Sequence, residues 1–141
     1  MSEPKSNNAA VSHAEGTSLF VVDDEPMLLE LASVILQPLG YRVTTFRDPK
    51  LALQDYSKSR PDLLITDYAM HEMNGLALLE GCRKIRPTQK VLLISGTVDE
   101  SVYSGAKGKP DAFLAKPYTT KQLVEAVKNV LKDSPQPKGP R

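Results

Sequence analysis

Short apolar runs without polar alternation, separated by segments of helical periodicity, constrain this chain more than any other feature. LFVV (19–22), LLIT (63–66), VLLI (91–94) and AFLA (112–115) are short and offer no polar face to water. Strands of that kind are covered on both faces. Strand-then-helix units in succession imply parallel pairing through right-handed crossovers. The expected fold is therefore α/β, a doubly wound parallel sheet with helices on both faces, the fifth strand being the more alternating YRVTTF (41–46), near an edge.

The intervening segments fit this plan. Pro26 suits the first turn of a helix, Leu28, Leu31, Ile35 and Leu39 recur at helical spacing, and Gly40 is placed to stop it. Asp48 can cap a second helix bearing Leu51, Ala52 and Tyr56. Gly75 precedes a third, with Leu78, Leu79, Cys82 and Ile85 on one side and Pro87 beyond its end. A short helix weakened by Gly105 and Gly108 is expected after Ser95, and Thr119 caps a last helix with Leu123, Val127, Val130 and Leu131. Residues 1–17 lack apolar periodicity and residues 133–141 hold three prolines and a glycine, so both are expected to be disordered tails around one domain over residues 18–132.

The 141 residues carry 18 basic against 17 acidic side chains, a net charge of +1 that gives no electrostatic case for direct nucleic-acid or membrane binding. The longest apolar runs fall far short of a membrane span. The single cysteine, Cys82, excludes an intrachain disulfide and fits a reducing, cytoplasmic setting. Cys82 also lies on an apolar helix stripe, where a thiol packs as an inert core group.

Each apolar run ends in, or leads into, a side chain that can do chemistry: Asp23 and Asp24, Asp67, Ser95 and Lys116. In open parallel sheets ligands bind at the carboxyl ends of the strands, where all five residues fall. Taken singly, Asp67 fits a turn residue, Asp23 and Asp24 a helix cap and Lys116 a surface lysine; their gathering at one edge weakens those readings. Three neighbouring carboxylates raise one another's pKa values unless a cation compensates, and Mg2+ takes one or two protein carboxylates while keeping positions for water or phosphate oxygens. A carboxylate can form an aspartyl phosphate, for which Lys116 offers charge and Ser95 a hydroxyl donor, leaving Asp67 as the candidate nucleophile.

With these residues in this order, and with FVVDDEP, LLITDYAMHEMNG, LLISG and FLAKP around them, the chain resembles the receiver domain of two-component response regulators over about residues 17–132. The resemblance implies a flavodoxin-like, five-stranded sheet. It implies that Asp67 is the phosphoacceptor, that Asp24, Asp67 and the backbone carbonyl of Ala69 bind Mg2+ directly, and that Asp23 holds the ion partly through water. Ser95 matches the switch hydroxyl, Lys116 the phosphate-binding lysine and Phe113 the aromatic switch; the Lys116–Pro117 bond is expected to be cis. His71 stands where the family usually has proline and is expected as a solvent-facing loop residue, with a proton carrier or extra ligand as the less favoured alternative. Ala69 and Thr97 occupy positions that tune aspartyl-phosphate lifetime, and Tyr68 and Tyr118 are expected at the rim.

The implied partners are a histidine kinase or histidine phosphotransfer protein and a downstream protein. The chain is expected as a monomer or weak dimer, either a stand-alone receiver or one excised from a hybrid kinase. It would catalyse its own phosphorylation and dephosphorylation at most. A phosphorylation-independent interaction module is the alternative. A flavodoxin-like nucleotide-binding enzyme is disfavoured, since no GxGxxG or GxxxxGK[ST] loop follows any strand.

Overall fold

A computed structural model describes residues 16–96 and 108–132. Five parallel strands, β1 (Ser18–Val22), β2 (Arg42–Phe46), β3 (Leu63–Asp67), β4 (Lys90–Ser95) and β5 (Ala112–Ala115), stand in the order β2-β1-β3-β4-β5. Among the described residues there are four helices: α1 (Pro26–Leu36), α2 (Pro49–Tyr56), α3 (Gly75–Ile85) and α4 (Thr120–Lys132). Of the tails expected over residues 1–17 and 133–141, residues 1–15 and 133–141 lie outside the described residues, as do the short helix expected after Ser95 and Thr97. The Lys116–Pro117 bond is cis.

Alternation along each buried strand sends side chains to two cores. On one face Leu19, Val21, Leu63, Ile65, Leu92 and Ile94 meet Leu29, Ala32 and Leu36 of α1 and Leu123, Val127 and Val130 of α4. On the other, Phe20, Val22, Leu64, Val91 and Leu93 meet Ala52 and Tyr56 of α2 and Leu76, Leu78, Leu79 and Cys82 of α3. Strand β2 is the more exposed edge, as its mixed composition requires.

The helix faces differ in detail from the sequence reading. The buried stripe of α1 is Leu29, Ala32 and Leu36, whereas Leu31 and Leu39 are exposed and Ile35 is half-buried. Apolar residues cover so much of α1 that helical spacing fits two neighbouring stripes, and only packing against the sheet and α4 selects one. Leu51 and Ile85 are likewise exposed at the margins of their helices. Helix α1 ends at Leu36, a 3-10 turn over Gln37–Leu39 follows, and Gly40 closes it at φ 101°.

Polar side chains fix the helix starts. Asp48 accepts from the Lys50 N–H and Asn74 from the Ala77 N–H. Thr119 and Gln122 satisfy each other's backbone N–H groups at 3.1 and 2.8 Å, a reciprocal cap for α4. At the amino end of the sheet Arg83 donates to the carbonyls of Gln89 and Lys109 and to Asp111 Oδ2, which also accepts from the Val91 N–H. That clamp ties α3 to the starts of β4 and β5.

At the other end, α3 comes very close to β3. A Cβ on Gly75 would lie 2.4 Å from the Asp67 carbonyl oxygen and 2.8 Å from a Leu93 methyl. The Gly75 N–H also donates to the Tyr68 carbonyl at 2.8 Å. Gly75→Ala is therefore expected to force backbone apart and to cost about 1–3 kcal/mol in urea unfolding, the range for overpacked sites; unchanged stability would refute the close fit.

Candidate functional site

The register brings the chemistry to one level. Val22 pairs with Thr66, Asp67 with Ile94, and Ser95 with Ala115, so Asp23, Asp67, Ser95 and Lys116 all stand at the carboxyl ends of neighbouring strands. Backbone bonding continues one step past the strands. The Asp23 N–H donates to Phe46 O, Tyr68 N–H to Ile94 O and Lys116 N–H to Ser95 O, at 3.1, 2.8 and 2.9 Å. The site residues are thus held by the sheet rather than by free loops.

Carboxylate oxygens of Asp23, Asp24 and Asp67 lie within 4.8 Å of one another. Lys116 Nζ is 3.0 Å from Asp67 Oδ1 and 3.7 Å from Asp23 Oδ2. Asp23 Oδ1 accepts from the Glu25 N–H at 2.9 Å. Ser95 is buried at the end of β4, while Ala69 is exposed on the loop two residues beyond Asp67. Phe113 is half-buried and packs against the core that α2 and α3 cover. Structure therefore groups Asp23, Asp24, Asp67 and Lys116 directly, sets Ser95 beside them, and keeps Phe113 one layer away in the packing.

Burial dominates the electrostatics. It raises Asp23 from 3.8 to about 6, with the charges of Asp67 and Asp24 adding to it and the Glu25 N–H and Lys116 opposing it. Burial also raises Asp67, against the hydrogen bond and charge of Lys116. For Lys116, burial pulls downward, but its pairing with Asp67 and Asp23 outweighs that and holds it above its usual value. Tyr118 rises through burial and through the Asp23 charge; it sits half-buried at the rim, as expected. One ammonium does not neutralise three acids, and an all-oxygen set of this size suits a hard divalent cation.

Two features were not legible in the sequence. Gly75 reads there only as a loop end, although it lets α3 approach the Asp67 backbone. His71 is exposed as expected, yet its Nδ1 lies 3.3 Å from Asp24 Oδ2. Nothing in sequence spacing signals that contact, because it joins two separate loops.

A family model of the response regulator receiver domain matches residues 19–128. The chain belongs to the receiver-domain family. Among its relatives, the chemotaxis protein CheY of Thermotoga maritima is 29% identical over 123 residues, covering 83% of this chain and 99% of that protein. The probable transcriptional regulatory protein TcrX of Mycobacterium tuberculosis is 30% identical over 117 residues, covering 82% of this chain and 50% of the relative. The chain spans from a quarter to about half the length of the transcriptional regulators it matches. The solved response regulator TrrA of Thermotoga maritima, in complex with Mg2+ and BeF, has a TM-score of 0.71 at 29% identity, covering 81% of this chain and 98% of that one. This receiver domain contains no helix, among the described residues, long and apolar enough to cross a membrane.

The raised Asp23 makes a signed prediction. The folded state holds this proton more tightly than the unfolded chain, so the benefit is present below about pH 4 and is lost as pH rises through about 6. In chelator-treated protein, Asp23→Asn is expected to be more stable than wild type by roughly 1–2 kcal/mol at pH 7, with the gap closing towards pH 4. Urea unfolding across that range checks it, and Mg2+ should narrow the gap at pH 7.

Proposed function

We propose that this receiver domain accepts a phosphoryl group on Asp67 from a phosphohistidine of a histidine kinase or phosphotransfer protein. The observation that carries the reading is the convergence of three carboxylates and one ammonium at the ends of adjacent strands in a matched receiver domain. Asp67 lies centrally, between the strand bearing Asp23 and the strand bearing Ser95. An Asp67 carboxylate oxygen forms the new bond to phosphorus as the phosphorus–nitrogen bond to the donor histidine breaks, the nitrogen leaving with the electron pair.

The three clustered carboxylates suit Mg2+; Asp24, Asp67 and the Ala69 carbonyl would hold it directly, with Asp23 acting partly through water. When bound, the ion supplies positive charge against the phosphoryl oxygens and lets Asp67 ionise despite its burial. Lys116, already at Asp67, is placed to follow charge onto the phosphoryl group, and the Ser95 hydroxyl offers a donor from the next strand. This is self-catalysis by a signalling domain. All five positions hold chemically competent side chains, which favours the reading over a phosphorylation-independent module.

Acetyl phosphate with Mg2+ is expected to label wild type at one residue, read as an intact-mass shift, and Asp67→Asn to lose the label while keeping its circular dichroism. Lys116→Ala is expected to slow labelling roughly 100-fold. A folded wild type that never labels would overturn the proposal.

The signal would leave through Phe113 and the downstream protein it presents to. Ser95 and Phe113 lie on paired strands, β4 and β5, and Lys116 is bonded to Ser95 through the backbone. A phosphoryl group that draws Ser95 inward changes the packing Phe113 meets. Beryllofluoride with Mg2+ is expected to shift backbone amide signals along β5 and the facing turn of α4; an unchanged spectrum there would remove the switch.

A further inference from the structure

Resting on the reading of the acidic cluster as a divalent-cation site, we propose that His71 supplies a nitrogen ligand on the Asp24 side of that site. The site would then take borderline transition ions such as Ni2+ and Co2+ more tightly than three carboxylates alone allow. His71 Nδ1 lies 3.3 Å from Asp24 Oδ2. Two donors that share one ion at bond lengths near 2.1 Å stand about 3.0–3.4 Å apart, so His71 and Asp24 are spaced as co-ligands, while the imidazole stands outside the group of three carboxylates and has to swing inward to share their ion. The imidazole is 91% exposed, so turning towards an ion breaks no core packing.

The loop that carries it is held on both sides. Gly75 N–H donates to Tyr68 O at 2.8 Å, and Glu72 pairs with Lys50 at 2.9 Å. His71 lies between Tyr68 and Glu72 on this loop, beside Asp24. Asp24 is the more exposed of the clustered acids and faces His71. Imidazole adds affinity for Co2+, Ni2+ and Zn2+, whereas Mg2+ prefers oxygen and gains little from it. The predicted signature is a change in selectivity at unchanged Mg2+ affinity.

Calorimetric titration of the full chain with Mg2+ and separately with Ni2+ tests this, using wild type, His71→Ala and His13→Ala, His13 being the second histidine. His71→Ala is expected to weaken Ni2+ by roughly tenfold or more, to leave Mg2+ within about twofold, and His13→Ala to change neither. Unchanged Ni2+ binding in His71→Ala, with Mg2+ binding intact, would overturn this inference alone. A parallel fall in both affinities would mark a loop-positioning role and overturn nitrogen ligation. Absence of Mg2+ binding to wild type would overturn the cation-site reading, and this inference with it.

Discussion

Lys116 shared between Asp67 and Asp23, with Asp24 close by, is the interaction on which the rest of the structure depends. Burial strips water from the group and a single ammonium leaves it net negative, which is why Asp23 and Asp67 are both pushed towards protonation. Such an arrangement persists only where surrounding structure holds it. The holding is done by the sheet, whose backbone bonds extend through Asp23, Tyr68 and Lys116, and by α3, which packs against the Asp67 backbone because Gly75 has no side chain. On the proposed reading, cation binding and folding stability would therefore be linked through the same carboxylates.

The sheet's two ends divide the work. At the amino end Arg83 and Asp111 join α3, β4 and β5 in a satisfied network, and buried Tyr56 donates to Gln89 at 2.6 Å nearby. Polar groups there are matched to partners, so that end favours one geometry. At the carboxyl end charges are left unbalanced. A well-determined scaffold beneath an electrostatically strained edge is what a cation-dependent site requires, since relief of the imbalance is then available to the ligand.

How much of this was legible in the sequence follows from the range of each interaction. The strand ends were legible because a buried run leaves its next residue at the sheet edge, and parallel topology sends all those edges one way. Asp48 and Thr119 were legible as caps because capping is local. The stripe of α1 was misplaced by one position, because its apolar arc is wide and the choice between Leu28 and Leu29 depends on α4, nearly a hundred residues on. The Arg83–Asp111 pair and the His71–Asp24 contact join distant segments whose meeting no local pattern announces. Gly75 was visible as a glycine, but its reason, a backbone oxygen where a Cβ would stand, exists only in three dimensions.

Strand β5 shows how a change at this edge can travel without disturbing the core. It is half-buried along its whole length, unlike β3, and among the described residues it pairs with β4 alone. Its start is tied down through Asp111, while its far end is joined to β4 by the Lys116 N–H bond to Ser95 O. A movement at the end of β4 therefore reaches Lys116 directly, with the amino end of β5 as a fixed point. Phe113 lies between those two anchors, packed against the α2 and α3 face. An edge element with fewer buried contacts responds at lower free-energy cost than the central strands, so on the proposed reading the chemistry at Asp67 and the response at Phe113 can share one sheet while the core stays unchanged.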